Sequence, residues 1–192
     1  MNALGNVGHL LVSTLGSLLL LAILLRFLLQ LSRADFYNPI TQMVVRITDP
    51  GVQVFRRFIP GYRGLDLASL ALAVVVQCVA IYLLVYLAGY PLPGFGLVLT
   101  WGLAGILNFI LNIYFWALLI SIVASFLAPF SSHPALVLIR QLVEPVMAPF
   151  RRLLPAMGGL DLSPIFVFLA IQIIRIVLII PVQANPAFVL GM

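Results

Sequence analysis

Five carboxylates, ten arginines, two histidines and one cysteine supply the acid–base, metal-binding and nucleophilic chemistry open to this chain. Two of the carboxylates, Asp66 and Asp161, each follow glycine within a Gly-Leu-Asp-Leu tetrapeptide, which invites comparison with the paired aspartates of intramembrane proteases. A catalytic dyad has to share one water in a dry site. These two instead precede long apolar runs, the position of a residue whose side chain caps the first turn of a helix. Both are therefore read as helix caps. His9 and His133 fall on opposite sides of the apolar segments between them and cannot ligate one haem or metal together. Ser13, Ser69 and Ser121 have no histidine and acid at a matching depth, so a serine nucleophile has no support. Gly64 and the Gly158-Gly159 pair belong to no strand-to-helix phosphate loop with a lysine. Cys78, the sole cysteine, forms no intrachain disulfide and is read as packing. No catalytic group, metal or cofactor is expected.

The elements that must hold these residues are dictated by hydropathy. Of the 192 residues 64% are hydrophobic and only 8% charged, with a mean hydropathy of +1.22, far from the usage of water-soluble domains. A hydrocarbon core roughly 30 Å thick is crossed by about 20 helical residues. Four runs qualify, near residues 10–31, 67–88, 97–128 and 162–183. The third is overlong, and because Gly102 and Gly105 loosen its start, its spanning helix is placed at 103–128 with 97–102 as an interfacial lead-in. Continuous Leu, Ile and Val disfavours the alternating pattern of barrel strands. The first eight residues carry no Lys or Arg, so the first run is expected to be a retained helix rather than a cleaved signal.

Eight of the ten arginines lie in two stretches, residues 33–63 and 140–152, which follow the first and third spans. The positive-inside rule places both in the cytoplasm and both termini outside. The net charge of +5 then serves attachment to anionic headgroups, each juxtamembrane arginine gaining about 1 kcal/mol, and no nucleic-acid partner is expected.

Shifting the chain by 95 residues superposes it on itself. Pro50, Phe55, Arg56, Arg57, Pro60, Gly64, Leu65, Asp66 and Leu67 recur as Pro145, Phe150, Arg151, Arg152, Pro155, Gly159, Leu160, Asp161 and Leu162, while Pro39 recurs as Pro134 and Gln77 as Gln172. Two parallel units follow, residues 1–95 and 96–192, each a helix in, an interfacial segment (37–60 and 134–155) and a helix out. In the first segment Ile40, Met43, Val44 and Ile47 form one apolar stripe at helical spacing. Pro50 and Pro145 are expected to end the amphipathic helices. Beyond Pro50, Val52, Phe55, Phe58 and Ile59 offer a second apolar face, while Arg56 and Arg57 turn to headgroups. Pro60-Gly61 and Gly158-Gly159 are expected to supply tight turns.

Polar residues inside the spans are few. Arg175 lies near the middle of the fourth, where translocon scales charge about 2.5–3.5 kcal/mol for it. Asn112 and Gln172 are the groups at a depth to answer it, making either a polar site or a snorkelling arginine. Asn108 and Asn112 share a helix face, and with Gln77 and Gln172 they are read as interhelical hydrogen-bonding groups. Arg26, within two turns of the cytoplasmic end of its helix, is expected to snorkel to the interface.

The paired blocks Phe-Arg-Arg-Phe-Ile-Pro and Phe-Arg-Arg-Leu-Leu-Pro, each running on to Gly-Leu-Asp-Leu, together with Asp35-Phe36-Tyr37-Asn38-Pro39, closely resemble the YggT family over nearly the whole chain. The resemblance implies a bacterial inner-membrane protein linked to osmotic or ion tolerance. Plastid and cyanobacterial relatives are called YlmG, some tied to haem attachment on cytochrome b6 and others to nucleoid distribution or division. It maps no catalytic residue onto this sequence.

The sequence thus reads as an all-α membrane protein of four transmembrane helices in two parallel repeats. Its expected role is that of a non-enzymatic inner-membrane scaffold or assembly assistant. Arg56, Arg57, Arg151 and Arg152 would contact anionic lipid, a membrane-protein partner or a second copy. The alternatives are a conduit for ions or osmolytes built on Arg175, Asn112 and the two glutamines and, last, an intramembrane enzyme using Asp66 and Asp161.

Overall fold

The computed structural model describes residues 3–59, 61, 64–153 and 161–192. It is all-helical: α1 (Ala3–Leu31), α2 (Pro39–Arg56), α3 (Leu67–Leu87), α4 (Phe95–Leu127), α5 (Pro134–Leu153) and α6 (Ser163–Ile174), the last continuing through a π turn at Arg175–Ile179 and a 3-10 turn at Ile180–Val182. Four stretches are long and apolar enough to cross a membrane, Gly5–Leu31, Leu67–Leu87, Phe95–Leu127 and Ser163–Val182. The glycines at 102 and 105 do not break α4, which runs unbroken from Phe95. In an apolar medium a helix satisfies every backbone group internally, so glycine's weak propensity is outweighed there. The small residues act instead as close-approach points, Gly102 lying where a Cβ would sit 3.5 Å from Cys78 Sγ of α3.

The spans pack through one stripe each. On α3, Ser69, Ala73, Gln77, Ala80 and Leu84 are all buried and recur every three or four residues. Leu20, Ile23, Leu24 and Leu28 do the same for the second half of α1. The α1–α3 hairpin is packed extensively, whereas α4 and α6 meet through fewer residues.

The shorter helices α2 and α5 carry prolines without ending at them: Pro50 lies inside α2, and Pro145 and Pro149 inside α5. The expected stop at Pro50 and Pro145 is overturned because all three prolines are exposed, where the carbonyls they release meet no apolar packing. The buried face of α2 is Thr41, Val44, Thr48 and Val52. Met43 and Ile47, assigned to the same stripe, are more than half exposed, and so is Phe58. Asn38 begins α2, its Oδ1 accepting from the Ile40 N–H at 2.9 Å, and its Nδ2 donates to Pro134 O at 2.8 Å at the start of α5. Asp35 N–H donates to Gln141 Oε1 at 3.0 Å. The residues leading into α2 are thus tied to α5. Pro60, Pro155 and the Gly158-Gly159 turn lie outside the described residues.

After Val182 the chain turns at Gln183, in the left-handed region with φ 50°. It then packs back against the bundle, burying Val189 and Leu190. A Cβ on Gly16 of α1 would meet Leu190 Cδ1 at 3.0 Å, and one on Gly105 of α4 would collide with Val189 and lie 2.6 Å from Gln77 Nε2. Residues 184–192 therefore occupy space among α1, α3 and α4.

Candidate functional site

Two polar constellations stand out against this apolar frame. The first begins with Arg26, whose helix faces α2 and α3 at that level. It does not snorkel. Its side chain is 4% exposed, and its Nη1 donates to Thr48 Oγ1 at 2.9 Å and Asp49 Oδ1 at 2.8 Å, with Val45 O at 3.4 Å. Its Nε lies 3.4 Å from Asp66 Oδ2. Asp66, 2% exposed, also takes Arg56 Nη2 at 2.9 Å and the Ser69 hydroxyl at 2.7 Å, while its Oδ1 caps α3 on the Ser69 N–H at 3.3 Å. Burial works to raise the Asp66 carboxyl, yet hydrogen bonds from Ser69 and Arg56 and the Arg56 charge outweigh it and hold the group below its ordinary value. Two arginines and two aspartates make a neutral knot joining α1, α2 and α3. Its partners, 19 to 40 residues away in sequence, draw the side chain inward although it stands near the end of α1.

At the same offset in the second repeat stand Arg151, Glu144 and Asp161. Arg151 Nε contacts Asp161 Oδ2 at 2.9 Å and its Nη1 contacts Glu144 Oε2 at 2.7 Å. Asp161 Oδ1 receives the Ser163 N–H at 2.9 Å, so this carboxylate also serves the first turn of its helix. Burial opposes ionisation of Asp161, but hydrogen bonds from Ser163 and Arg151 and the Arg151 charge leave it below its ordinary value. Arg151, despite some desolvation, is held above its own by both acids. Each Arg pair therefore divides: Arg56 and Arg151 turn onto aspartates, and Arg57 and Arg152 are exposed with no ion pair among the described residues.

The second constellation lies within the spans. Arg175 Nη2 donates to Asn112 Oδ1. Asn112 Nδ2 donates to Gly191 O at 3.1 Å and Asn108 Nδ2 to the same oxygen at 2.6 Å, while Gln77 Nε2 donates to Leu190 O at 3.3 Å. The amides of α3 and α4 thus hold the 184–192 segment, in which Gly191 takes φ 83° with its Cα against the Phe109 ring. Gln172 does not join them; it is exposed on the outer side of α6. Its counterpart Gln77 is fully buried. Arg175 opens the π turn, in which the Ile180 N–H donates to Arg175 O. Pro181 cannot donate to Val177, and the turn before it widens.

Asp66 and Asp161 sit in separate clusters, each engaged by its own arginine. His9 Nε2 is 3.0 Å from Ala187 O, and His133 Nδ1 accepts from the Ala135 N–H at 3.3 Å. Among the described residues no three His, Cys, Asp or Glu side chains are grouped to hold a metal.

The CCB3/YggT family profile matches residues 6–87 and 100–182, two stretches that between them take in both ion clusters and the greater part of each of the four spans. The chain belongs to this family. It is 48% identical over 169 residues to an uncharacterized protein of Pseudomonas aeruginosa, covering 88% of this chain and 86% of that one. It is 37% identical over 163 residues to an uncharacterized protein of Vibrio alginolyticus, covering 84% and 88%. It is also 37% identical over 167 residues to the uncharacterized protein YggT of Escherichia coli K12, covering 86% and 85%. No solved structure matches. As a member of the CCB3/YggT family with four apolar helices, the chain is a multi-pass membrane protein.

Residues that sequence reasoning missed have a common signature. Thr48 and Asp49 lie on a helix turn facing Arg26, and Asn38 stands where the chain enters α2. The signal that was available is the excess of in-span charge: a lone arginine five residues from a helix end calls for an acid, and only Asp35, Asp49 and Asp66 lie in the same repeat.

Proposed function

We propose that this protein is a non-enzymatic scaffold of the bacterial inner membrane, assisting assembly of other membrane components and contributing to osmotic tolerance through them. In this reading both termini face outward and α2 and α5 lie on the cytoplasmic surface. The observation that carries it is the linked α2–α5 platform. Arg46, Arg57 and Arg152 project from it unpaired among the described residues, beside exposed Met43, Ile47 and Phe58. Arginines over apolar side chains suit an anionic surface or an acidic partner segment. The interior favours the same reading, since buried apolar side chains from α1, α3, α4, α5, α6 and the 184–192 segment form one continuous core.

A photo-crosslinking residue at position 57 or 152 in native membranes, followed by mass spectrometry, tests the platform. A reproducible membrane-protein adduct from one site that is lost when the arginine at the other site is replaced by glutamate supports the scaffold, and no adduct from either site overturns it. Reporter fusions should place position 57 in the cytoplasm and both termini outside.

A conduit for ions or small osmolytes is the second reading, motivated by the Arg175–Asn112 pair within the spans. Purified protein in potassium-loaded liposomes decides it. Flux above that of empty vesicles supports the conduit, and none removes it.

A further inference from the structure

The two ion clusters are equivalent in sequence and unequal in charge. In the first, Asp49 and Asp66 are balanced by Arg56 and by Arg26, whose buried guanidinium sits between α1, α2 and α3. In the second, Glu144 and Asp161 are balanced, among the described residues, by Arg151 alone, and position 121, which the 95-residue offset matches to Arg26, is serine. Three positions recur with their charge, Asp49 as Glu144, Arg56 as Arg151 and Asp66 as Asp161, and one is missing. Arg140 does not replace it, since its Nη2 is turned to Ala128 O and Pro129 O at 3.3 Å, beyond the end of α4.

Where the first repeat is filled by the Arg26 side chain, the second has a cavity of about 410 Å³ walled by Ser121, Phe126, Arg151, Asp161 and Ile165 among others. A guanidinium held by the matching residues in the first repeat shows what this geometry coordinates: a compact cation with N–H donors. Its location narrows the source. The cavity lies at the last turns of α4 and the first turn of α6, at the membrane boundary. Phe126 and Ile165 beside it are 74% and 61% exposed, as side chains facing acyl chains are.

We propose that this cavity is a headgroup site for an aminophospholipid. Its primary ammonium takes the place that the Arg26 guanidinium occupies in the first repeat and donates to the Asp161 carboxylate, while its acyl chains lie over Phe126 and Ile165. The second repeat completes its ion cluster with lipid where the first completes it with its own arginine. The site is separate from the outward-facing Arg57 and Arg152, and it stands whether or not those residues engage a partner.

The test is lipid retention by the purified full-length chain, read by native mass spectrometry in phosphatidylethanolamine, phosphatidylcholine and phosphatidylglycerol. Phosphatidylcholine keeps the zwitterion but has no N–H donor. The expected preference for phosphatidylethanolamine is on the order of tenfold, the factor one hydrogen bond to a charged group supplies. Asp161→Asn should abolish that preference. Ser121→Arg, which restores the missing guanidinium in cis, should abolish it too. Were Ser121→Arg not to fold, Asp161→Asn alone decides. Equal retention of the three lipids, or a preference that survives Asp161→Asn, overturns the proposal. So does full competition by millimolar free ethanolamine, which would make the ligand a soluble amine. Binding at position 57 or 152 is read by crosslinking and is indifferent to this result.

Discussion

Asp66→Asn and Asp161→Asn are the same substitution at equivalent positions of the two repeats, and their effects should differ severalfold. Asparagine caps a helix as well as aspartate, so both variants keep the bond to the first-turn N–H and lose only the charge. In the first repeat that charge is 2% exposed and faces two guanidiniums, Arg56 at 2.9 Å and Arg26 at 3.4 Å, of which Arg26 is itself 4% exposed. Removing one partner of a buried pair costs about 3–5 kcal/mol. Arg26 keeps Asp49 and Thr48, so the lower end applies, about 3 kcal/mol. In the second repeat Asp161 and Arg151 are 40% and 45% exposed, and an exposed pair contributes below about 1 kcal/mol. At about 2–4 °C per kcal/mol for a chain of this size, Asp66→Asn should lower the melting temperature by roughly 6–12 °C, and Asp161→Asn by less than about 4 °C. The measurement is thermal unfolding in lipid-free detergent, where no headgroup can occupy the second cluster. Equal shifts would refute the reasoning, because the charge would then be worth the same buried and exposed.

Three further outcomes follow from the same geometry. Because the Asp66 carboxyl is held below its ordinary value, its stabilisation is complete above about pH 3.9 and lost as pH falls through the folded-state value; melting temperature against pH should show an acid limb that Asp66→Asn flattens, and an unchanged limb counts against the assignment. Gly105→Val should drive the 184–192 segment from its seat, since even a Cβ there collides with Val189; in a Cys78→Ala background, labelling of Leu190→Cys, a buried position, by an impermeant thiol reagent should speed up severalfold, and an unchanged rate would show that the segment is not held by this contact. Asn112→Ala removes the acceptor of Arg175 and should cost about 1–3 kcal/mol, with Arg175→Leu in the same chain recovering much of it; a neutral Asn112→Ala variant would mean that the arginine is satisfied elsewhere.

The spans were legible because hydrocarbon allows one solution to an uninterrupted apolar run. Partners across helices were not. Arg26 reads as a snorkelling side chain when only its distance from the end of α1 is considered, and the three groups that bury it arrive from α2 and from the start of α3. Gln77 and Gln172 read alike in sequence, yet one is buried and the other exposed. The difference comes from Gly105 and the 184–192 segment, which give Gln77 a carbonyl to serve. Hydropathy also said little about residues 184–192, a stretch too short to span and too apolar for a loop. Its destination is set by two backbone carbonyls that only the folded bundle reveals.

The serine at position 121, opposite Arg26 at the 95-residue offset, sets the two halves of the chain apart. The first repeat is closed: α1 and α3 pack along their length, Arg26 neutralises the cluster from within, and separating its helices would strand opposite charges in an apolar medium. The second half packs α4 against α6 less extensively, has a cavity beside Ser121, and among the described residues sets one arginine against two acids. A cluster whose acids outnumber the arginine they face suits a cation from outside the chain, and at the membrane boundary the proposed source is a lipid headgroup. Arginine at position 121 would close the second cluster as Arg26 closes the first, and what the serine leaves open sits on a half held to the first by Asn38 on Pro134 and Asp35 on Gln141.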